Sequence, residues 1–354
     1  MDNYKNYDLI KNIKDKKKIS SNLVFTFFDP YLVRTGELYD VIEHITKYGF
    51  RVAKFNYKKL KEYDVEQIYR KNAPCFNLNW HIARKIYQID ISCGVIFYRY
   101  KDATFNMKKL KGKSKNFFDN NVDETVRGKF QSPNKYISLM HSSDDWNSFL
   151  NESLIFFNIG EIEDLIEKTE QKKLDNIYFD KVESSINESY HYQLGFCNIK
   201  KFKAFEFLIQ LRLRILSRIS NSKFCEFEVD EIKKYWYSNL ILMSDYSIKD
   251  KFNTYSYIID KEKLFIRELS ESIIKKDMIS YKRLYMHETS YIDVTILLEL
   301  LEKLNNIDSY NKIDCEYYFK TTDIFYNGWE EILFETTVSL FVENQKGNAE
   351  YEKS

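Results

Sequence analysis

The first unbroken run of apolar positions is Leu23-Val-Phe-Thr-Phe-Phe28, closed by Asp29-Pro30. Its brevity, its aromatic and β-branched content and the Asp-Pro stop predict a buried strand. The period then changes. Leu38, Val41, Ile42 and Ile45 recur at steps of three and four within residues 36–48, which predicts an amphipathic helix that Gly49 stops. Phe50 to Tyr57 reads as a second strand, followed by helical segments around 64–72 and 78–88. A third strand is expected over Gly94 to Tyr100, then a basic stretch from Lys108 to Lys115 and a loop. A fourth strand is expected near Tyr136 to Met140 and a helix at about 145–155. Strand–helix–strand twice over predicts an α+β sandwich of the ferredoxin-like kind.

Beyond residue 160 the texture is different. All three prolines (Pro30, Pro74, Pro133) lie before that point, so long helices meet no breaker after it. Lys201 to Ile219 and Val294 to Leu304 carry apolar residues at helical spacing, and 165–354 reads as a mostly α-helical domain. Arg212, Arg214 and Arg218 read as a solvated or salt-bridged face of one helix, and Tyr235-Trp236-Tyr237 as core. Residues 1–22 read as a polar leader whose charge run, Lys14 to Lys18, is solvated.

Composition narrows the function classes. With 54 Lys+Arg against 53 Asp+Glu, the net charge of +1 indicates neither nucleic acid nor membrane as partner. The five cysteines are widely spaced with no CxxC pair, which argues against a disulfide scaffold or a cysteine zinc site. Without an apolar leader or spanning segment, a cytoplasmic setting is expected.

The five histidines form no metal-ligand pair of the HExxH kind. His44 is expected on the flank of its helix, and His81, His191 and His287 in structural roles. His141 has a different context. It follows the strand-like run Tyr136 to Met140 and precedes Ser142-Ser143-Asp144-Asp145, the capped start of a helix. A histidine beside a helix N-terminus is well placed for anion chemistry, because backbone N–H groups and the helix dipole favour phosphate there. Upstream, Arg127-Gly128-Lys-Phe130 offers an arginine whose planar fork matches phosphate oxygens.

These pieces, in this order, make residues 23–160 resemble a nucleoside diphosphate kinase domain. Pro30, Gly36 and Gly49-Phe50-Arg51 stand at that family's spacings without a gap, and Tyr69 then falls on its active-site tyrosine. Arg127-Gly128-Lys-Phe130 is similar to its Arg-Gly-x-Phe, and His141-Ser142-Ser143-Asp144 to its His-Gly-Ser-Asp. Glu152 stands eleven residues after His141, where the family has the glutamate that orients the histidine, and Phe157 matches an aromatic beyond it.

The resemblance implies an NDK-type sandwich and a transferase that moves a γ-phosphate from a nucleoside triphosphate to a diphosphate through phosphohistidine. It implies His141 as nucleophile and Glu152 as its orienting acid. Ser143 would bond Glu152 or a phosphate, and Arg127 and Tyr69 would contact the transferred group. Asp144 would reach a water on magnesium (Mg2+) that is carried by the substrate phosphates. Self-association into a homo-oligomer is also implied. The departures are specific. Asp29 stands where the family has a phosphate-facing lysine, and Ser138 where it has an asparagine that contacts sugar and phosphate. Cys75 replaces the base-stacking phenylalanine, with Phe76 next to it as a substitute. Pro74 to Gly94 is longer than in the family. The basic run Lys108 to Lys115 overlaps the region that supplies a further phosphate-binding arginine, so one of its lysines would compensate. Two functions are therefore expected from these residues. One is a divergent phosphotransferase. The alternative is an inactive nucleotide-binding sensor whose output is the helical domain.

Overall fold

The computed structural model describes residues 21–69, 78–113, 124–130, 136–171, 174, 204–221, 226–244, 251–280, 288–305, 312–325 and 328–351. Strand β1 (Leu23–Phe28) is buried at every position. It pairs antiparallel with β3 (Ser92–Tyr98) on one side and β4 (Met140–Ser142) on the other. β2 (Arg51–Lys58) completes the sheet in the order β2-β3-β1-β4, with an irregularity between Val52 and Lys54. The continuous apolar runs of β1 and β3 follow from a sheet covered on both faces. The protein is α+β: this four-stranded antiparallel sheet with its helices, and a long helical stretch later in the chain.

Helices α1 (Pro30–Arg34) and α2 (Leu38–Lys47) follow β1. α3 (Glu62–Tyr69) and α4 (Leu78–Ile89) link β2 to β3, and α5 (Ala103–Lys111) and α6 (Val126–Phe130) link β3 to β4. α7 (Trp146–Phe156) and α8 (Ile159–Glu170) come last in this part of the chain. α7 and α8 bury Phe149, Phe156, Ile162 and Ile166 against Phe25, Phe27 and Ile96 of the sheet. Gly94 permits that approach. A Cβ there would lie 2.5 Å from Phe156 Cγ.

Three expectations need correction. The strand expected over Tyr136–Met140 begins only at Met140, because Leu139 takes a left-handed conformation (φ 65°) that turns the chain before pairing starts. His141 therefore lies within the strand. The stretch from Lys108, read only as basic, is the last turn of α5, which packs on β1 and β4. Gly112 ends that helix at φ +77°, and a Cβ there would meet Thr125 Oγ1 at 2.4 Å. His44 is buried and not on a flank. Its Nε2 lies 2.8 Å from Glu124 O, and its ring packs on Tyr48 and Phe130.

The chain folds as two compact units: Met1–Phe117 with Asn121–Lys201, and Phe118–Asn120 with Phe202–Ser354. The second contains α9 (Ala204–Asn221), α10 (Glu226–Ser244), α11 (Lys251–Ser280), α12 (Glu288–Asn305), α13 (Lys312–Thr322) and α14 (Gly328–Tyr351). Of the α9 arginines, Arg212 and Arg214 are salt-bridged, whereas Arg218 bonds backbone carbonyls. Arg212 is buried, donates to Leu304 O at 2.9 Å and lies 3.5 Å from the buried Glu262. Trp236 Nε1 donates to the same carboxylate at 2.7 Å. Burial pushes the Glu262 carboxyl above its usual range, against the pull of Arg212 and Trp236. Arg214 forks onto Glu330 at 2.8 and 3.1 Å, and Arg218 donates to Thr322 and Asp323 carbonyls. Trp236 is core, as expected, whereas Tyr237 is exposed. Among the described residues, no helix is long and apolar enough to cross a membrane.

Candidate functional site

His141 sits at the middle of the three-residue β4, opposite Phe27 of β1, with the two rings 5.3 Å apart. Its Nε2 lies 3.0 Å from Glu152 Oε2. Glu152 is buried on α7, and the helix is held at both ends. Asp145 caps its start by accepting from Ser148 N at 2.7 Å. At its far end Lys58 Nζ donates to Ile155 O at 2.8 Å and Asn56 Nδ2 to Phe156 O at 2.7 Å. The helix that carries this carboxylate is therefore capped by Asp145 at its start and held by β2 at its end. An ionised Glu152 assigns the imidazole proton to Nε2, which makes Nδ1 the nitrogen with the nucleophilic lone pair.

Arg127 on α6 is tied to three backbone carbonyls. Nε donates to Ser138 O at 3.0 Å, Nη1 to Gly112 O at 3.1 Å and Nη2 to Met140 O at 2.9 Å. It thus locks the end of α5 to the residues that flank His141. The Ser138 carbonyl also accepts Met140 N–H at 2.8 Å. Ser143 is buried and does not reach Glu152. Its Oγ donates to Phe25 O and accepts from Phe25 N, each at 3.2 Å, so it extends the β1–β4 pairing by one residue.

Asp29 is the N-cap of α1, and its Oδ1 accepts from Leu32 N at 3.0 Å. Its backbone N–H donates to Leu139 O at 3.0 Å, which places it beside the turn that leads into β4. Oδ2 is buried with no hydrogen-bond partner among the described residues. Burial pushes the Asp29 carboxyl up to about 6, although nearby backbone N–H groups and the Arg127 charge favour the anion.

The acidic and basic groups on the solvent side come from two elements. Asp144 precedes α7 and is exposed, 3.5 Å from Lys108 Nζ. Lys111, one turn further along α5, is half-buried and within electrostatic reach of Arg127, Asp144 and Glu152. Burial first, and then Arg127 and Lys108, push Lys111 down to about 8, partly offset by Asp144 and Glu152. The sequence showed this lysine only within a basic run. What singles it out is the phase of α5, which periodicity did not assign. Phe76, the side chains of Tyr69 and His81, His191, His287, the polar leader up to residue 20 and Lys115 lie outside the described residues.

Among the described residues no three His, Cys, Asp or Glu converge as a metal cage. A hard divalent ion commonly needs only one or two carboxylates plus substrate phosphates. The exposed Asp144 carboxylate fits that kind of support.

No protein-family model matches the chain, and no curated protein matches it. Among solved structures, the chain is similar to a nucleoside diphosphate kinase from Borrelia burgdorferi, a transition-state mimic with bound vanadate and ADP. Identity is 17%, the TM-score 0.36, and the match covers 40% of this chain and 90% of that one. An orthorhombic crystal form of the Aquifex aeolicus nucleoside diphosphate kinase matches at 14% identity and a TM-score of 0.35, over 39% of this chain and 95% of that one.

Proposed function

We propose that the first unit is a divergent nucleoside diphosphate kinase-like phosphotransferase that works through phosphohistidine. The observation that carries this reading is the 3.0 Å pair between His141 Nε2 and Glu152 Oε2, made by residues at the family's spacing on β4 and α7. The strand order β2-β3-β1-β4 also supports an NDK-type sandwich. In the first half-reaction the Nδ1 lone pair attacks the γ-phosphorus of a nucleoside triphosphate. The bond from γ-phosphorus to the bridging oxygen breaks, and the diphosphate leaves with that electron pair. Glu152 holds the Nε2 proton and balances the positive charge that grows on the ring. In the second half-reaction a terminal oxygen of an acceptor diphosphate attacks the phosphohistidine, and Nδ1 regains its lone pair. Magnesium would be carried by the substrate phosphates and shield their charge, and Asp144 would hold one of its waters. Arg127 holds Met140 and Ser138 and so fixes His141 in place.

A second reading has a specific observation behind it. Asp29 puts a buried carboxyl, not a cation, at the turn into β4, which would disfavour a γ-phosphate and favour a sensor that binds without turnover. One experiment separates the two. The protein is incubated with γ-labelled ATP or GTP and magnesium, beside His141→Ala, and the label is tested for acid lability. Acid-labile label in the native chain that is absent from the variant supports phosphotransfer. Nucleotide binding without label supports the sensor.

A further inference from the structure

β2 ends on a lysine that touches two helices at once. Lys58 Nζ donates to Ile155 O at 2.8 Å and to Asp64 Oδ1 at 3.0 Å. Ile155 lies in the last turn of α7, where backbone carbonyls have no partner inside the helix. An ammonium there also meets the negative end of the helix dipole. Asp64 stands in the first turn of α3 and is held from its other side. Its Oδ2 accepts from Lys61 N at 2.9 Å, which closes the start of that helix as one half of a capping box does. The pair is not a loose surface contact, because the Asp64 side chain is 12% exposed and that of Lys58 34%. Val65 and Ile68 of α3 share one buried apolar cluster with Phe149 and Leu150 of α7. The two helices therefore touch through their apolar faces and are tied at one end by a single ammonium.

Both helices carry residues that matter for the site. Glu152, one turn before Ile155 on α7, lies 3.0 Å from His141 Nε2. α3 ends at Tyr69, the residue that the family resemblance places on the transferred phosphate. We propose that Lys58 is a positioning residue of this site. Its ammonium locks the helix of Glu152 to the helix that ends at Tyr69, and so sets where the carboxylate meets the His141 ring. The effect on turnover rests on the phosphotransfer reading, whereas the lock on Glu152 does not. A lock of this kind has leverage, because a displacement of about 1 Å at a reacting group can cost about 10²-fold in rate. Lysine suits the place. Its long stem lets one ammonium reach a carboxylate and a carbonyl on different elements, and its several N–H bonds serve both.

The test uses the full chain and compares it with Lys58→Met, Lys58→Arg and Asp64→Asn. Methionine keeps an apolar stem and loses both bonds, arginine keeps charge and donors, and asparagine weakens the lock from the other end while its Oδ1 can still accept from Lys61 N–H. Nitrogen-15 NMR of the histidine rings, assigned with His141→Gln, reads the His141 tautomer without any turnover. The native ring should carry its proton on Nε2, towards Glu152. Lys58→Met should lower the Nε2–H share, Asp64→Asn should lower it less, and Lys58→Arg should restore most of it. In parallel, the rate of acid-labile labelling by γ-labelled ATP should fall about tenfold in Lys58→Met, with the half-saturating ATP concentration within about threefold of native. A native His141 signal in Lys58→Met would overturn the assignment. So would an equal loss in Lys58→Met and Lys58→Arg, since the lock is made by charge and donors. A His141 signal that depends on Lys58 in a chain that forms no acid-labile label would leave the lock standing and overturn the phosphotransfer reading instead.

Discussion

Replacing Asp29 by asparagine should stabilise the first unit at neutral pH and remove part of its pH dependence. The carboxyl is 1% exposed and its Oδ2 has no hydrogen-bond partner among the described residues. Burial raises its pKa from 3.8 to about 6, with the Leu32 N–H and the Arg127 charge acting in the opposite direction. The folded chain therefore binds this proton more tightly than the unfolded chain. Stability falls as pH rises from about 4 to about 6 and stays at the lower level above that. A gap of about two units, at about 1.36 kcal/mol each, amounts to about 3 kcal/mol of lost stability at pH 7. Asparagine keeps the cap, since its Oδ1 accepts from Leu32 N–H about as well as a carboxylate does. It removes only the charge. The assay is hydrogen exchange of the β1 amides, Leu23–Phe28, which lie at the centre of the sheet and open only with this unit. In Asp29→Asn they should exchange about 150-fold more slowly than in the native chain at pH 7 and at a similar rate near pH 4. Faster exchange at pH 7, or a constant difference at every pH, would refute the reasoning. Either result would mean that the carboxylate is stabilised in place and that burial does not dominate its energetics.

Two further changes test the packing. Gly94→Ala puts a Cβ within 2.5 Å of Phe156 Cγ, so it should destabilise the first unit by about 1–3 kcal/mol in the same exchange assay. It should also displace the end of α7 and so loosen the 3.0 Å pair between His141 and Glu152, and a companion Phe156→Leu should restore part of both. In the helical unit, Arg212→Met strands the buried Glu262 carboxylate and should cost about 3–5 kcal/mol in thermal unfolding. The double change Arg212→Met with Glu262→Leu should recover most of that loss, and a double variant no better than the single would contradict the account of a desolvated pair.

The sequence was most informative where one physical signal dominated. β1 was visible because six buried residues, five of them apolar, end in Asp-Pro, and α2 because its apolar stripe ends at Gly49. The polar run Ser142 to Asp145 marked where α7 begins, while the pairing of His141 with Glu152 was expected only from the family resemblance. β4 was misplaced because the apolar run Tyr136 to Met140 carries no mark of the left-handed turn at Leu139. A leucine is among the residues least expected there, and only tertiary packing holds it. Of the two partners expected for Ser143, Glu152 is not bonded: the hydroxyl completes the pairing with Phe25, a long-range contact that the local sequence does not mark. The burial of His44 and Arg212 was invisible because each lies on a helix whose other face also looked able to meet solvent. Their partners, Glu124 and Glu262, are distant in sequence.

Arg127 has structural duties that its sequence context does not show. As an arginine after a turn it suggested a phosphate fork, yet its nitrogens grip Ser138, Gly112 and Met140, one carbonyl on α5's exit and two beside His141. A guanidinium so committed carries its charge to the site but has little freedom to follow a moving phosphoryl group. It also answers the buried Asp29, whose ionisation it favours. These two duties are linked. Through one guanidinium the cap of α1 is coupled to β4, since the group whose charge favours ionised Asp29 also donates to Met140 O. The same side chain ties the end of α5 to β4, the strand that carries His141, through Gly112 O and Met140 O.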